Sequence, residues 1–161
     1  MDSSGTSLLS RIGLKPLRRF EISRGLRRVV AYAWASPITL VGLLVAALAV
    51  LSRGKAVVNG GVLEVHGGLL TKVMGGLGRG NLVIWAITLG HVVLALDDSS
   101  LGKTRRHERV HVRQYERLGI LFPFLYAASS ILAFSRGKDP YLDNAFEREA
   151  FEQGFEGPGV Q

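Results

Sequence analysis

Cysteine is absent from the 161 residues. Disulfides and thiolate metal sites are therefore excluded, and the redox compartment is left open. Acidic residues are scarce at the beginning. Only two of the 13 Asp and Glu fall in residues 1–55, against nine of the 20 Lys and Arg, so this arm holds the whole formal charge of +7. An excess confined to an arm beside an apolar segment fits an anionic membrane surface rather than a nucleic-acid groove, and no nucleic-acid partner is expected. Charge of either sign is missing from Val29 to Ser52, from Leu82 to Leu96 and from Leu118 to Ser135.

The first uncharged run, read as a helix, spans the roughly 30 Å hydrocarbon core of a bilayer. Tyr32 and Trp34 lie near one end, as interfacial anchors do. Ala47-Leu48-Ala49 matches the small-residue rule of a cleaved leader, but the basic region before the run is too long for one, so an uncleaved anchor is expected. Leu8 to Arg28 mixes apolar residues with Lys and Arg and reads as a basic amphipathic helix broken near Pro16, or as a disordered basic arm. The Lys/Arg excess of residues 11–28 over residues 53–72 puts the N-terminus in the cytoplasm and the rest outside or at the outer interface of a bacterial or archaeal membrane.

After the anchor the pattern changes. Val57-Val58, Val62 to His66 and Leu69 to Val73 are β-rich runs separated by Asn59-Gly60-Gly61 and Gly67-Gly68, which reads as hairpins. Gly75 to Gly80 reads as a loop. The uncharged Leu82 to Leu96 contains Ile84, Ile87, Thr88, Val92 and Val93 with Gly90 inside, which favours strands over a membrane helix. His91 to Leu96 is expected at a sheet edge. Asp97 to Ser100 should start the next helix, with Ser99 or Ser100 as N-cap. The fold class expected is α+β: an N-terminal membrane helix over 29–52 preceded by the basic arm 1–28, then a minimal domain over 53–161 with a small sheet, a central helix, an apolar helix 118–135 and a last helix.

The central helix carries His107-Glu108-Arg109-Val110-His111, an H-E-x-x-H motif. One helical turn separates the histidines, so both rings can share one cation. On a helical wheel His107, His111, Thr104, Glu108, Tyr115, Val112 and Leu118 share one half, while Arg105, Arg106, Arg109, Arg113, Glu116 and Arg117 share the other. Glu108 is thus the one acid on the apolar half, where a carboxylate needs a partner. Zn²⁺ brings the pKa of a bound water to about 7, and a nearby carboxylate can take its proton. A third protein ligand is required. A histidine six residues after His111 is ruled out because that position is Arg117. The tail offers Glu147, inside an apolar face of Phe146, Ala150, Phe151 and Gly154, with Glu149 on the opposite side. Residues two apart cannot both reach one metal, so Glu149 is the alternative ligand. The bland reading of Glu147 is a capping box with Asn144 as N-cap.

H-E-R-V-H followed by F-E-R-E-A-F resembles the gluzincin metallopeptidases. It is most similar to the membrane CaaX-type proteases and the minigluzincins, whose H-E-x-x-H is followed by E-x-x-A on a later helix. The segment also resembles a group of small uncharacterised bacterial membrane proteins sharing this motif and the pattern D-x-Y-x-x-N-x-F-E. The likeness covers about residues 90 to 155. It implies a zinc peptidase with His107, His111 and Glu147 as ligands, Glu108 as general base, and a peptide or protein substrate beside the bilayer. The membrane proteases often carry Asp four residues after the ligand Glu, where this chain has Phe151. Tyr115 could stabilise an oxyanion, His91 could contact substrate or substitute as a ligand, and Asp97 or Asp98 could orient a ligand histidine. The rival reading is a membrane protein whose zinc site is structural or binds ligands without turnover. One conflict stands: if 118–135 crosses the bilayer, Glu147 lands on the far side from His107.

Overall fold

The computed structural model describes residues 24–77 and 84–155. The expected amphipathic helix over 8–28 and the fraying tail after Gly154 lie largely outside them.

Helix α1 (Arg24–Leu51) begins inside the basic arm and runs through the first uncharged stretch. Pro37 lies within it and has no N–H to give to the carbonyl of Ala33. The Ser36 hydroxyl donates to that oxygen instead at 2.8 Å, which explains how the helix continues. Ala35, Gly42, Ala46 and Ala49 form a buried stripe of small residues, while Leu40, Val41, Leu43, Leu44, Leu48 and Leu51 are exposed.

Strands β1 (Lys55–Asn59) and β2 (Val62–His66) are antiparallel. Gly60 (φ 54°) and Gly61 (φ 82°) form the two-residue turn between them, with both central residues at positive φ as a type I′ turn requires. Helix α2 (Leu69–Leu77) follows. This corrects the strand expected at Leu69 to Val73 and shortens the loop expected from Gly75. Leu70 and Met74, four apart, both enter the core against Ala46 and Ala49, so helical spacing governs the segment despite its β-branched residues.

Strands β3 (Ala86–Leu89) and β4 (Val92–Ala95) turn at Gly90 and His91. The sheet order is β1-β2-β4-β3, with β2 and β4 parallel. The segment expected at an edge, His91 to Leu96, is therefore internal, and β4 is buried throughout. The free edges are β1 and β3.

The sheet is sandwiched. One face packs Val65, Val92 and Leu94 on α1 and α2. The other packs Val62, Val93 and Ala95 on Leu101 and Val112 of helix α3 (Asp98–Leu118). The N-cap of α3 is Asp97, not a serine: its carboxylate accepts the Ser100 N–H at 2.7 Å. At the other end Gly119 (φ 54°) gives its N–H to the Tyr115 carbonyl, and any side chain there would strike the Trp34 ring of α1. A 3₁₀ turn (Gly119–Leu121) leads into the apolar helix α4 (Phe122–Ser135), and helix α5 (Ala145–Phe155) ends the described chain. The molecule is thus mixed α+β with an N-terminal apolar helix. Two helical stretches, Val29–Leu51 and Asp98–Ser135, are long and apolar enough to cross a membrane.

The chain turns back after α4. The Asn144 amide donates to the Tyr126 carbonyl at 3.0 Å and to the Ser130 hydroxyl at 2.7 Å, and the Ala145 N–H donates to Ser129 Oγ at 3.0 Å. These bonds dock the start of α5 beside the middle of α4. The conflict over residues 118–135 is resolved by return of the chain: α5 lies along α3, with Gly154 against the His107 backbone.

Candidate metal centre

Helical spacing on α3 places His107 and His111 edge to face, with their Nε2 atoms 3.1 Å apart. Glu147 arrives from α5. Its Oε2 lies 3.1 Å from His107 Nε2 and its Oε1 lies 3.5 Å from His111 Nε2. One donor atom from each of the three residues falls within 4.8 Å of the others, and among the described residues this is the one His/Cys/Asp/Glu group that could hold a metal ion.

Glu147 is 3% exposed. Its Oε1 accepts a hydrogen bond from the Tyr126 hydroxyl at 2.6 Å. Its Oε2 is within ion-pair distance of His107 Nε2 but makes no well-aligned hydrogen bond, and it is the one buried side-chain polar atom of which that is true among the described residues. A carboxylate oxygen in the interior without a good hydrogen bond is costly, and a cation satisfies it. Burial pushes the Glu147 carboxyl up, but His107, His111 and Tyr126 pull it down further, to about 2. The group is therefore a carboxylate at any ordinary pH, as a metal ligand must be.

The state of His111 follows from Gln114, whose side chain is fully buried. The Gln114 amide nitrogen donates to the Phe146 carbonyl at 3.0 Å and to Glu149 Oε2 at 3.0 Å. Those two acceptors fix which end of the amide is oxygen, and that oxygen lies 2.7 Å from His111 Nδ1. The Nδ1 of His111 must then carry a proton, so that in the neutral ring the Nε2 lone pair is directed at His107 and Glu147. Burial pushes the His111 pKa down, but Glu147, Glu108 and Gln114 raise it further, and a metal would have to displace any proton on Nε2. This is how a supporting residue sets the tautomer of a metal-binding imidazole. Replacing Gln114 by Leu should lower metal affinity by about 10–100-fold with little change in side-chain volume. A competition titration against a chromophoric zinc chelator measures it; an unchanged affinity would remove Gln114 from this role.

His107 is supported differently. Phe151, one helical turn after Glu147, places its ring centroid 4.8 Å from that of His107, so aromatic packing holds this imidazole. Tyr141 adds a second phenol: its hydroxyl is pushed up by burial and then by Glu147.

Glu108 is 4% exposed, on the same side of α3 as the histidines. The Thr88 hydroxyl of β3 donates to its Oε2 at 2.6 Å, tying this carboxylate to the free edge of the sheet; burial raises its pKa against the opposing pull of His111, Thr88 and His107.

The remaining sequence candidates lie elsewhere. Tyr115 packs in the core with Ala35 and Phe122, its ring 4.4 Å from that of Phe122. His91 stacks on Tyr32 at 3.8 Å and places Nε2 3.2 Å from Glu116 Oε1, joining α1 to α3. Asp97 is the helix cap, and Asp98 lies 3.7 Å from His66 rather than beside a ligand histidine. Glu149 accepts from Arg117 at 2.8 Å and from Gln114, one layer outside the cluster, so Glu147 is the acid the fold delivers. Arg105 and Arg109, expected on a solvated half, reach back to the buried Glu64 of β2 at 3.1 and 2.8 Å.

No protein-family model matches this chain, and no curated protein and no solved structure resembles it significantly. The metal reading thus rests on the arrangement of these side chains. Sequence reasoning missed Gln114, Tyr126 and Thr88. Only Gln114 left a signal: it stands three residues after His111, on the same helical face.

Proposed function

We propose that this chain is a membrane-bound zinc metallopeptidase with His107, His111 and Glu147 as ligands and Glu108 as general base. The observation that carries the reading is the convergence of the His107 and His111 Nε2 atoms and the Glu147 carboxylate within 4.8 Å, beside the further buried carboxylate of Glu108. Two imidazoles and a carboxylate suit Zn²⁺, and three protein ligands with an open position mark a catalytic rather than a structural site. The exposed apolar surfaces of α1 and α4 support attachment to a bilayer.

A bound Zn²⁺ supplies Lewis acidity, polarising a carbonyl and acidifying water. The protein does the rest. Glu108 Oε1 takes a proton from the water that attacks the scissile carbonyl, while Thr88 holds the other oxygen. As the C–N bond breaks, Glu108 returns that proton to the leaving amine. Gln114 and Tyr126 keep His111 and Glu147 in place throughout.

Removal of metal tests this. A chelator should abolish cleavage of a mixed peptide library by the detergent-solubilised protein, and one equivalent of Zn²⁺ should restore it. Cleavage indifferent to the chelator would end the proposal.

A further inference from the structure

The layer structure bears on how α1 meets the bilayer. Contacts of α1 with the sheet run nearly its whole length: the Tyr32 hydroxyl donates to the Gly61 carbonyl at 2.9 Å, Gly42 lies against Leu89 and Val92, and Ala49 is buried in one cluster with Val65 and Leu94. From Tyr32 to Ala49 a helix rises about 25 Å, close to the thickness of a hydrocarbon core. A vertical α1 would carry the sheet into the lipid with it. Strand β1, exposed at every residue and paired on one side only, would then leave backbone N–H and C=O groups facing hydrocarbon, each costing several kcal/mol. Lys55, Lys72 and Arg105, all exposed, would follow.

The side of α1 away from the sheet is different. Leu40, Val41, Leu44, Leu48 and Leu51 are exposed there and no charge interrupts them. Cations stand at both ends: Arg24, Arg27 and Arg28 in the first turns, Arg53 and Lys55 just past the last. Helix α4 packs on the buried side of α1, with Phe122 in one cluster with Ala35 and Ile38, and presents an exposed apolar surface of its own at Phe124, Ile131 and Phe134. Arg136 and Lys138 follow the end of α4.

From this we infer that α1 lies along one leaflet, its outer face sunk into the lipid and both basic ends on anionic headgroups of the same side, instead of crossing the bilayer. Lys and Arg are attracted to such a surface, and a flat helix gains that attraction at both ends. The sheet and the metal centre then stack on the aqueous side. This inference rests on the membrane attachment proposed above, and is independent of whether the site is catalytic.

The chain has no cysteine, so single thiols can be introduced as reporters. Gly25→Cys and Lys55→Cys, both at exposed positions, bracket α1. Full-length variants in sealed membrane vesicles of known sidedness are treated with a membrane-impermeant maleimide before and after detergent. Both thiols should react from the same side. Reaction of one before detergent and the other only after it would overturn the flat helix. Flotation of the untreated vesicles separates the two readings, because protein that stays behind when the vesicles float would sink membrane attachment itself. Leu44→Asp should weaken flotation with vesicles containing phosphatidylglycerol by tenfold or more. Unchanged flotation, with a shift from dimer to monomer in solution, would show a second copy covering this face and would also overturn the inference.

Discussion

Glu108→Gln retains its zinc and loses peptide hydrolysis by about 10²–10⁴-fold, the usual weight of a positioned acid–base group. The change is nearly isosteric. A Gln carbonyl still accepts the Thr88 hydroxyl that now bonds Glu108 Oε2 at 2.6 Å, so strand β3 and helix α3 keep their contact. What the amide cannot do is take a proton from water. Metal content by elemental mass spectrometry and cleavage of a quenched fluorescent peptide read the two properties separately. Full hydrolysis in the variant would remove Glu108 as base. A wild-type protein that binds zinc stoichiometrically and cleaves nothing would favour the non-catalytic site.

Glu147→Ala lowers zinc affinity by more than the roughly 10–100-fold typical of a supporting residue, because a ligand itself is removed. The alanine also strands the Tyr126 hydroxyl, which now donates to Glu147 Oε1 at 2.6 Å. An unpaired buried hydroxyl costs about 1–3 kcal/mol of stability. Glu147→Gln is the control: it keeps an acceptor for Tyr126 but forfeits the charge that draws the metal. Both variants should therefore lose metal, whereas only the alanine variant should lose much stability by thermal unfolding. Stoichiometric zinc in either would take Glu147 out of the ligand set.

Much of the site was legible because it depends on helical periodicity alone. The turn between His107 and His111 and the inward placement of Glu147 against outward Glu149 follow from about 100° per residue. The hairpin at Gly60-Gly61 was legible from its glycine pair, but Gly67-Gly68, also at positive φ, was misread as a second one and leads into α2 instead. Leu69 to Val73 was misread because Thr71 and Val73 suggest a strand, while Leu70 and Met74 decide the matter by their common burial. The cap went to Asp97 because a carboxylate and a hydroxyl compete for the same N–H, and spacing does not choose between them. The course of residues 118–135 turned on Ser129 and Ser130. Two hydroxyls in an apolar helix give no periodic signal until Asn144 and Ala145 are seen to bind them. Gln114 left a helical-spacing signal three residues after His111, whereas Tyr126 holds Glu147 across 21 residues of sequence, and such a contact leaves no trace in local pattern.

Gly154 sits against the backbone of His107, so the last helix meets α3 with hydrogen atoms where side chains would otherwise stand. An ion held from both helices would fasten that seam, and the fastening would be reciprocal: whatever loosens the tail would weaken the ion's hold to the same degree, about 1.4 kcal/mol for each tenfold. Scarcity of the ion would then be felt mechanically, as an unlatched carboxyl-terminal segment.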